Sequence, residues 1–220
     1  MKNSKKNNKG FSLVELIIVI AIMALLVAII TPSLIQYINK AKKAVDITTA
    51  ESIGEVFMAE VETNETLYKF YNWHVRCIKK SDYSPTTYRC LCTMRVGTTT
   101  GEFEPMLNKT GYTSDGQAGT CPVTYDEVKP ILQDICYGLR PLQFQQNSAC
   151  DIWFVCTDQT GKIYVFVGAG AANWSLSKDP SRPDAYKNSG SHAYGRSYMI
   201  WPEVCDYYIQ CKHPGDLRAD

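Results

Sequence analysis

The run from Leu16 to Ile30, LIIVIAIMALLVAII, holds fifteen apolar residues without a break. Counted from Phe11, twenty residues are interrupted only by Ser12 and Glu15. A helix rises about 1.5 Å per residue, so about 20 such residues cross the hydrocarbon core of a bilayer. Lys2, Lys5, Lys6 and Lys9 precede the run with no acid among them. That pattern holds an N-terminus in the cytoplasm and sends the rest of the chain outward.

Glu15 is out of place in a plain membrane anchor. A carboxylate inside an apolar span costs roughly 2.5–3.5 kcal/mol at mid-membrane and less near an end. Its position, five residues after Gly10, is that of a charge waiting for a positive partner.

Gly10 followed by Phe11-Ser12-Leu13-Val14-Glu15 resembles the leader-peptidase motif of type IV prepilins. The resemblance implies cleavage between Gly10 and Phe11 by a prepilin peptidase and N-methylation of the new Phe11 amine. It implies that Glu15 pairs with the Phe11 amine of a neighbouring subunit, and that Pro32 stands where many pilins carry a helix-kinking proline. The motif covers about the first fifty residues. Beyond it, the nine cysteines and the length depart from many major pilins and are more like the minor pilins of clostridia.

The resemblance also sets the expected partners and places. These are other pilin subunits in a filament of one or several kinds, the peptidase, the inner assembly machinery, and the membrane before assembly. The prepilin would sit in the cell membrane with its head outside, then in an extracellular filament serving adhesion, motility or biofilm formation. A pilus-borne adhesin and a pseudopilin of a secretion system share this N-terminus. The large cysteine-rich head argues against the pseudopilin. The aromatic residues and the stretch 173–196 lean towards an adhesin.

Of 220 residues, 210 would remain after cleavage. That suits one long helix plus a head of about 150 residues. Net charge is +1, and loss of the four leader lysines makes it −3. No basic face for nucleic acid is indicated.

Four segments follow. Residues 1–10 are a leader and lie outside the fold. Residues 11–62 are a long helix with a membrane or filament-core segment at 11–31. Residues 63–123 are a first head lobe, and 124–220 a second. The expected class is α+β, a long N-terminal helix packed on an antiparallel β head. Helix followed by β-rich sequence occurs twice, which favours a second, smaller pilin-like lobe over one large head. In the long helix, Ile35, Ile38, Ala41, Val45, Ile53, Val56 and Phe57 recur near a 3.6-residue period, with Lys43 and Asp46 among the polar residues between them. Gly54 weakens a helix by about 1 kcal/mol, so a break near it is expected, with the exit at residues 63–66.

Residues 67–123 read as aromatic and loop-rich, with a strand from Tyr88 to Val96 and loop from Thr98 to Gly119. Thr124 and Glu127 form a capping-box pair ahead of Val128, Ile131, Leu132, Ile135 and Leu139. Gly138 and Pro141 then stop that helix. Residues 151–157 and 162–167 form a hairpin around Asp158-Gln159-Thr160-Gly161. Residues 173–196 read as one long loop, followed by strands at 197–201 and 204–211.

Nine cysteines, an odd number, all follow the apolar run. Outside the membrane, disulfides are permitted. Cys150 and Cys156 are six apart, as are Cys205 and Cys211. Six strand residues span roughly 20 Å, beyond the roughly 4.4–6.8 Å Cα separation of a disulfide. If both segments are strands paired antiparallel, one register serves two bridges, Cys150–Cys211 and Cys156–Cys205. Cys90 and Cys92, at i and i+2, share one face of a strand. Together with Cys77, Cys121 and His74 they offer ligands for one structural zinc, three Cys and one His, which leaves six cysteines for three disulfides. The alternative is disulfides plus a free thiol. The spacing matches no standard zinc ribbon. No nucleophile elbow, HExxH or P-loop is present, so no catalytic residue is assigned and the chain is not expected to be an enzyme.

Overall fold

The computed structural model describes residues 11–80, 87–95, 102–105, 121–136, 144, 152–168, 175–179, 182–189 and 196–211. The chain divides into two units, residues 1–40 and 41–220. Helix α1, Leu13–Thr63, contributes to both and continues through Pro32 and Gly54.

In the first unit α1 is apolar on every side. Leu13 is 72% exposed and Ile38 42%, with the large apolar side chains between them exposed as well. A helix apolar all round is a membrane span or is buried among other elements. This one is long and apolar enough to cross a membrane. Ile35 and Ile38 therefore do not begin a head-packing face.

In the second unit the buried stripe of α1 is Lys43, Asp46, Ala50, Ile53, Phe57 and Val61. Two of its members are charged, against the expectation that Lys43 and Asp46 lie on the solvent side. Each has partners that compensate for burial. Lys43 Nζ donates to the carbonyl of Ile209 at 2.8 Å and to that of Cys211, and lies 4.9 Å from the centre of the Phe144 ring. Asp46 Oδ2 accepts from the Phe144 N–H at 2.8 Å and from the Tyr208 hydroxyl at 3.0 Å.

Asn64 ends α1 and starts α2, Glu65–Lys80. Its Oδ1 accepts from the N–H groups of Thr66 and Leu67 at 3.1 and 3.2 Å, as an N-cap does. The stretch expected as loop is thus helical, with Leu67, Phe70, Trp73, His74, Cys77 and Ile78 buried at helical spacing. Helix α3, Tyr125–Cys136, starts at Thr124, whose N–H donates to Glu127 Oε2 at 2.7 Å. Leu139, Gly138 and Pro141 lie outside the described residues.

The strands are β1 Thr87–Arg95, β2 Glu102–Pro105, β3 Ile152–Thr157, β4 Ile163–Gly168, β5 Ser175–Asp179, β6 Arg182–Ser189 and β7 Arg196–Trp201. They form one sheet in the order β2-β1-β3-β4-β7-β6-β5, and β5 also pairs with β1. Every pairing is antiparallel. The sheet closes because β1 shares one edge. Its first residues meet β5, Thr87 opposite Ser177, and its last meet β2, Arg95 opposite Glu102. Six strands therefore make a small barrel with β2 beside it. Strands from both expected lobes join this one sheet, and residues 41–220 form one compact unit. No separate second sheet is seen among the described residues.

The expected hairpin is β3–β4. Asp158 Oδ1 accepts from the Thr160 and Lys162 N–H groups at 2.8 and 3.0 Å, and Oδ2 accepts from the Tyr164 hydroxyl at 2.8 Å. Burial pushes this carboxyl up, but those hydrogen bonds outweigh it and hold the pKa below its ordinary value. Gly161 adopts φ of 91°, and its carbonyl accepts from the Tyr71 hydroxyl of α2. Two expectations fail nearby. Part of the long loop at 173–196 is the β5–β6 hairpin. The last expected strand is instead helix α4, Asp206–Gln210.

The barrel has two packed faces. Trp153, Val155, Val165, Val167, Tyr198 and Ile200 join Ile53, Phe57, Leu67, Phe70, Val128 and Leu132 in a core against the helices. Cys90, Ile152, Phe154, Cys156, Phe166 and Tyr186 form the enclosed cluster. Tyr88 sits there edge-on to Tyr164, Phe166 and Tyr186 at 4.7, 5.4 and 5.2 Å.

Gly54 is required by close approach. A Cβ there would lie 2.6–2.7 Å from the Trp201 ring. Overpacking costs about 1–3 kcal/mol, while Gly→Ala in a helix gains about 1 kcal/mol. Gly54→Ala should therefore destabilise the wild-type protein by about 1 kcal/mol, yet stabilise a Trp201→Ala background. Denaturant titration of full-length protein in micelles reads both signs, and a stabilised single variant would contradict the contact. Asp46→Ala strands a buried N–H and a buried hydroxyl, so it should cost about 3 kcal/mol. Asp46→Asn keeps an acceptor and should cost less. A loss below about 1 kcal/mol for Asp46→Ala would show that this carboxylate does not hold the head together.

Candidate functional site

The start of α1 is a closed capping box. Ser12 precedes the first helical residue, and its Oγ accepts from the Val14 N–H at 3.4 Å. Glu15 reaches back, and its Oε2 accepts from the Ser12 N–H at 2.8 Å. Ser-x-x-Glu ahead of an apolar run is the sequence form of this motif, and it was legible at Ser12-Leu13-Val14-Glu15. Two donors that a helix start leaves unsatisfied are thereby met, and an acid in the first turn complements the helix dipole.

The cap places the carboxylate on the N–H of the residue following Phe11. Phe11 itself is 84% exposed. Gly10 and the rest of residues 1–10 lie outside the described residues. Just before Pro32, the Thr31 hydroxyl donates to the Val27 carbonyl at 2.6 Å.

The expected metal ligands do not converge. His74 and Cys77 are buried on α2, and the Cys77 thiol donates to the Trp73 carbonyl at 2.9 Å. Cys121 is buried just before α3. Cys90 and Cys92 do not share a face, because the register shifts between them. A bulge places two residues of one strand against one of its neighbour. Cys90 thus enters the enclosed cluster, while Leu91 and Cys92 both join the core against the helices. Among the described residues no group of three or more His, Cys, Asp or Glu is placed to hold a metal ion. Burial pushes the Cys121 thiol up, and burial followed by the neighbouring Cys90 does the same to Cys156. Such groups stay protonated near neutral pH and are poor nucleophiles.

The paired-strand premise for the two bridges fails as well. Cys205 and Cys211 flank helix α4, and β3 pairs with β1 and β4. Cys156 stands opposite Cys90 in that ladder. Cys150 and the Cys136 side chain lie outside the described residues. The seven described cysteines are thiols.

Residues 5–31 match the family model for the prokaryotic N-terminal methylation motif. The chain is also 29% identical over 172 residues to the type IV major pilin protein PilA of Myxococcus xanthus strain DK1622. That match covers 76% of this chain and 63% of the relative, so the chain spans somewhat less than two thirds of the curated relative it matches. No solved structure matches. The methylation motif on its N-terminal helix, the antiparallel β head behind it and this likeness to a major pilin make the chain similar to the type IV pilins.

Proposed function

We propose that this protein is a type IV pilus subunit, cleaved between Gly10 and Phe11, N-methylated at Phe11, and assembled with other pilins through residues 11–31. A prepilin peptidase and an assembly machinery on the inner side would act on it. The large cysteine-rich head supports a minor rather than a bulk subunit. Gold label against the head, at the tip or along the whole shaft, separates these two roles.

One observation carries the proposal. Glu15 is held at the mouth of an exposed apolar helix, one residue from the amine that cleavage would create. In the single chain the carboxylate is occupied by its own cap. In a filament, the cationic Phe11 of a neighbour would compete for it, and that pairing strengthens as water is excluded. Leaving such a charge buried and unpaired costs about 3–5 kcal/mol.

Two substitutions separate capping from charge pairing. Glu15→Gln keeps an acceptor for the Ser12 N–H but removes the charge, and Glu15→Ala removes both. Each should accumulate in the membrane at least as well as wild type. In cells lacking wild-type subunit, both should enter filaments about a hundredfold less, the factor that a loss of about 3 kcal/mol corresponds to. Normal incorporation of Glu15→Gln would limit the carboxylate to capping. Normal incorporation of both would remove it from assembly.

A further inference from the structure

Nine thiols on one chain leave many possible pairings, and the barrel sorts them by face. Cys77, Cys92, Cys121, Cys205 and Cys211 all lie in the core against the helices. Cys90 and Cys156 are the two described cysteines of the enclosed cluster. They are also direct partners in the β1–β3 ladder. Facing residues of antiparallel strands have Cα atoms about 4.5 or 5.5 Å apart, and both values fall inside the roughly 4.4–6.8 Å that a disulfide spans. Side chains opposite one another on one face of a sheet point the same way, and the Cys90 thiol donates to the Cys92 carbonyl at 3.2 Å. Cys90 is 1% exposed and Cys156 fully buried, among Phe154, Phe166 and Tyr186.

We propose that Cys90 and Cys156 are a redox pair that closes a cross-strand disulfide inside the barrel as the head folds. The oxidant is of the disulfide class, a small-molecule or protein disulfide outside the membrane. One cysteine thiolate attacks it, forms a mixed disulfide and releases one thiol. The second cysteine thiolate then displaces the remaining half. One S–S bond forms and one breaks, the two cysteines are oxidised, and their two protons leave on the two product thiols. The order of events follows from burial. In the closed barrel the Cys156 thiol is held protonated, and exchange needs the thiolate and access to it. The bond therefore forms before β5 seals against β1, and is then shielded from external thiols.

This pairing does not depend on the pilus reading, so its test uses purified protein. Full-length protein in detergent is unfolded with guanidinium and reductant, then refolded in micelles with reduced and oxidised glutathione. The fraction regaining native tryptophan fluorescence is quenched with iodoacetamide, digested without reduction and mapped by mass spectrometry. Where refolding yield is low, protein taken from cells without reductant gives the same map. The expected result is a majority species joining the peptide of Cys90 to that of Cys156. Trypsin leaves Cys90 and Cys92 on one peptide, and Cys121, Cys136, Cys150 and Cys156 on another because Lys129 and Arg140 precede prolines. Further cleavage before aspartates isolates Cys156 on residues 151–157, and Cys92→Ala, which should retain the linkage at the wild-type level, then makes the assignment unambiguous. Alkylation of both cysteines, loss of the linkage in Cys92→Ala, or Cys156 joined to Cys205 or any other cysteine would overturn the proposal.

Discussion

An apolar helical surface in contact with water has to be covered by something, and α1 presents one from Leu13 to Ile38. Each large apolar side chain taken out of water gains about 1.5–3 kcal/mol, so the summed drive is large and carries no direction. Lipid satisfies it, and so do other helices of the same kind. That double compatibility is what a subunit needs if it waits in a membrane and then leaves it. Association out of lipid gains little from apolar burial alone, because lipid tails are as apolar as the helices. Specificity must then come from polar groups, and the Ser12–Glu15 cap puts a carboxylate at the segment's N-terminal end.

The head is organised around the later part of the same helix. Lys43 and Asp46 reach residues far along the chain, Phe144 and 208–211, and fix them by hydrogen bonds that leave little freedom. Gly54 lets Trp201 at the end of β7 press directly on the helix backbone. Tyr71 of α2 meets the carbonyl at the tip of the β3–β4 hairpin. These contacts place one closed sheet against three helices, and the closure hides a second, aromatic core within the barrel.

Much of this was legible in the sequence, for identifiable reasons. The apolar run, the strand at Tyr88, the capping pair Thr124–Glu127 and the hairpin at Asp158 each carry local signals that tertiary packing does not reverse. The failures share a cause. Lys43 and Asp46 read as solvent-facing because charge is normally exposed, and the carbonyl that accepts from Lys43 and the N–H that donates to Asp46 lie over ninety residues away. Gly54 read as a weak point because its partner ring is 147 residues distant. The region 65–80 was missed because Asn64 was read as a helix exit and not also as the cap of the next helix. Cys90 and Cys92 were assigned one face because a bulge has no reliable sequence mark. At the N-terminus the motif is plain, and the same residues carry the Ser-x-x-Glu pattern of the cap.

The central claim is that Phe11 becomes the N-terminus of an assembled subunit. Intact-mass and N-terminal peptide analysis of protein recovered from sheared surface filaments tests it directly. The account predicts a chain that begins at Phe11 and carries one added methyl on its amine. Assembled protein that retains residues 1–10, or that begins elsewhere, would contradict it.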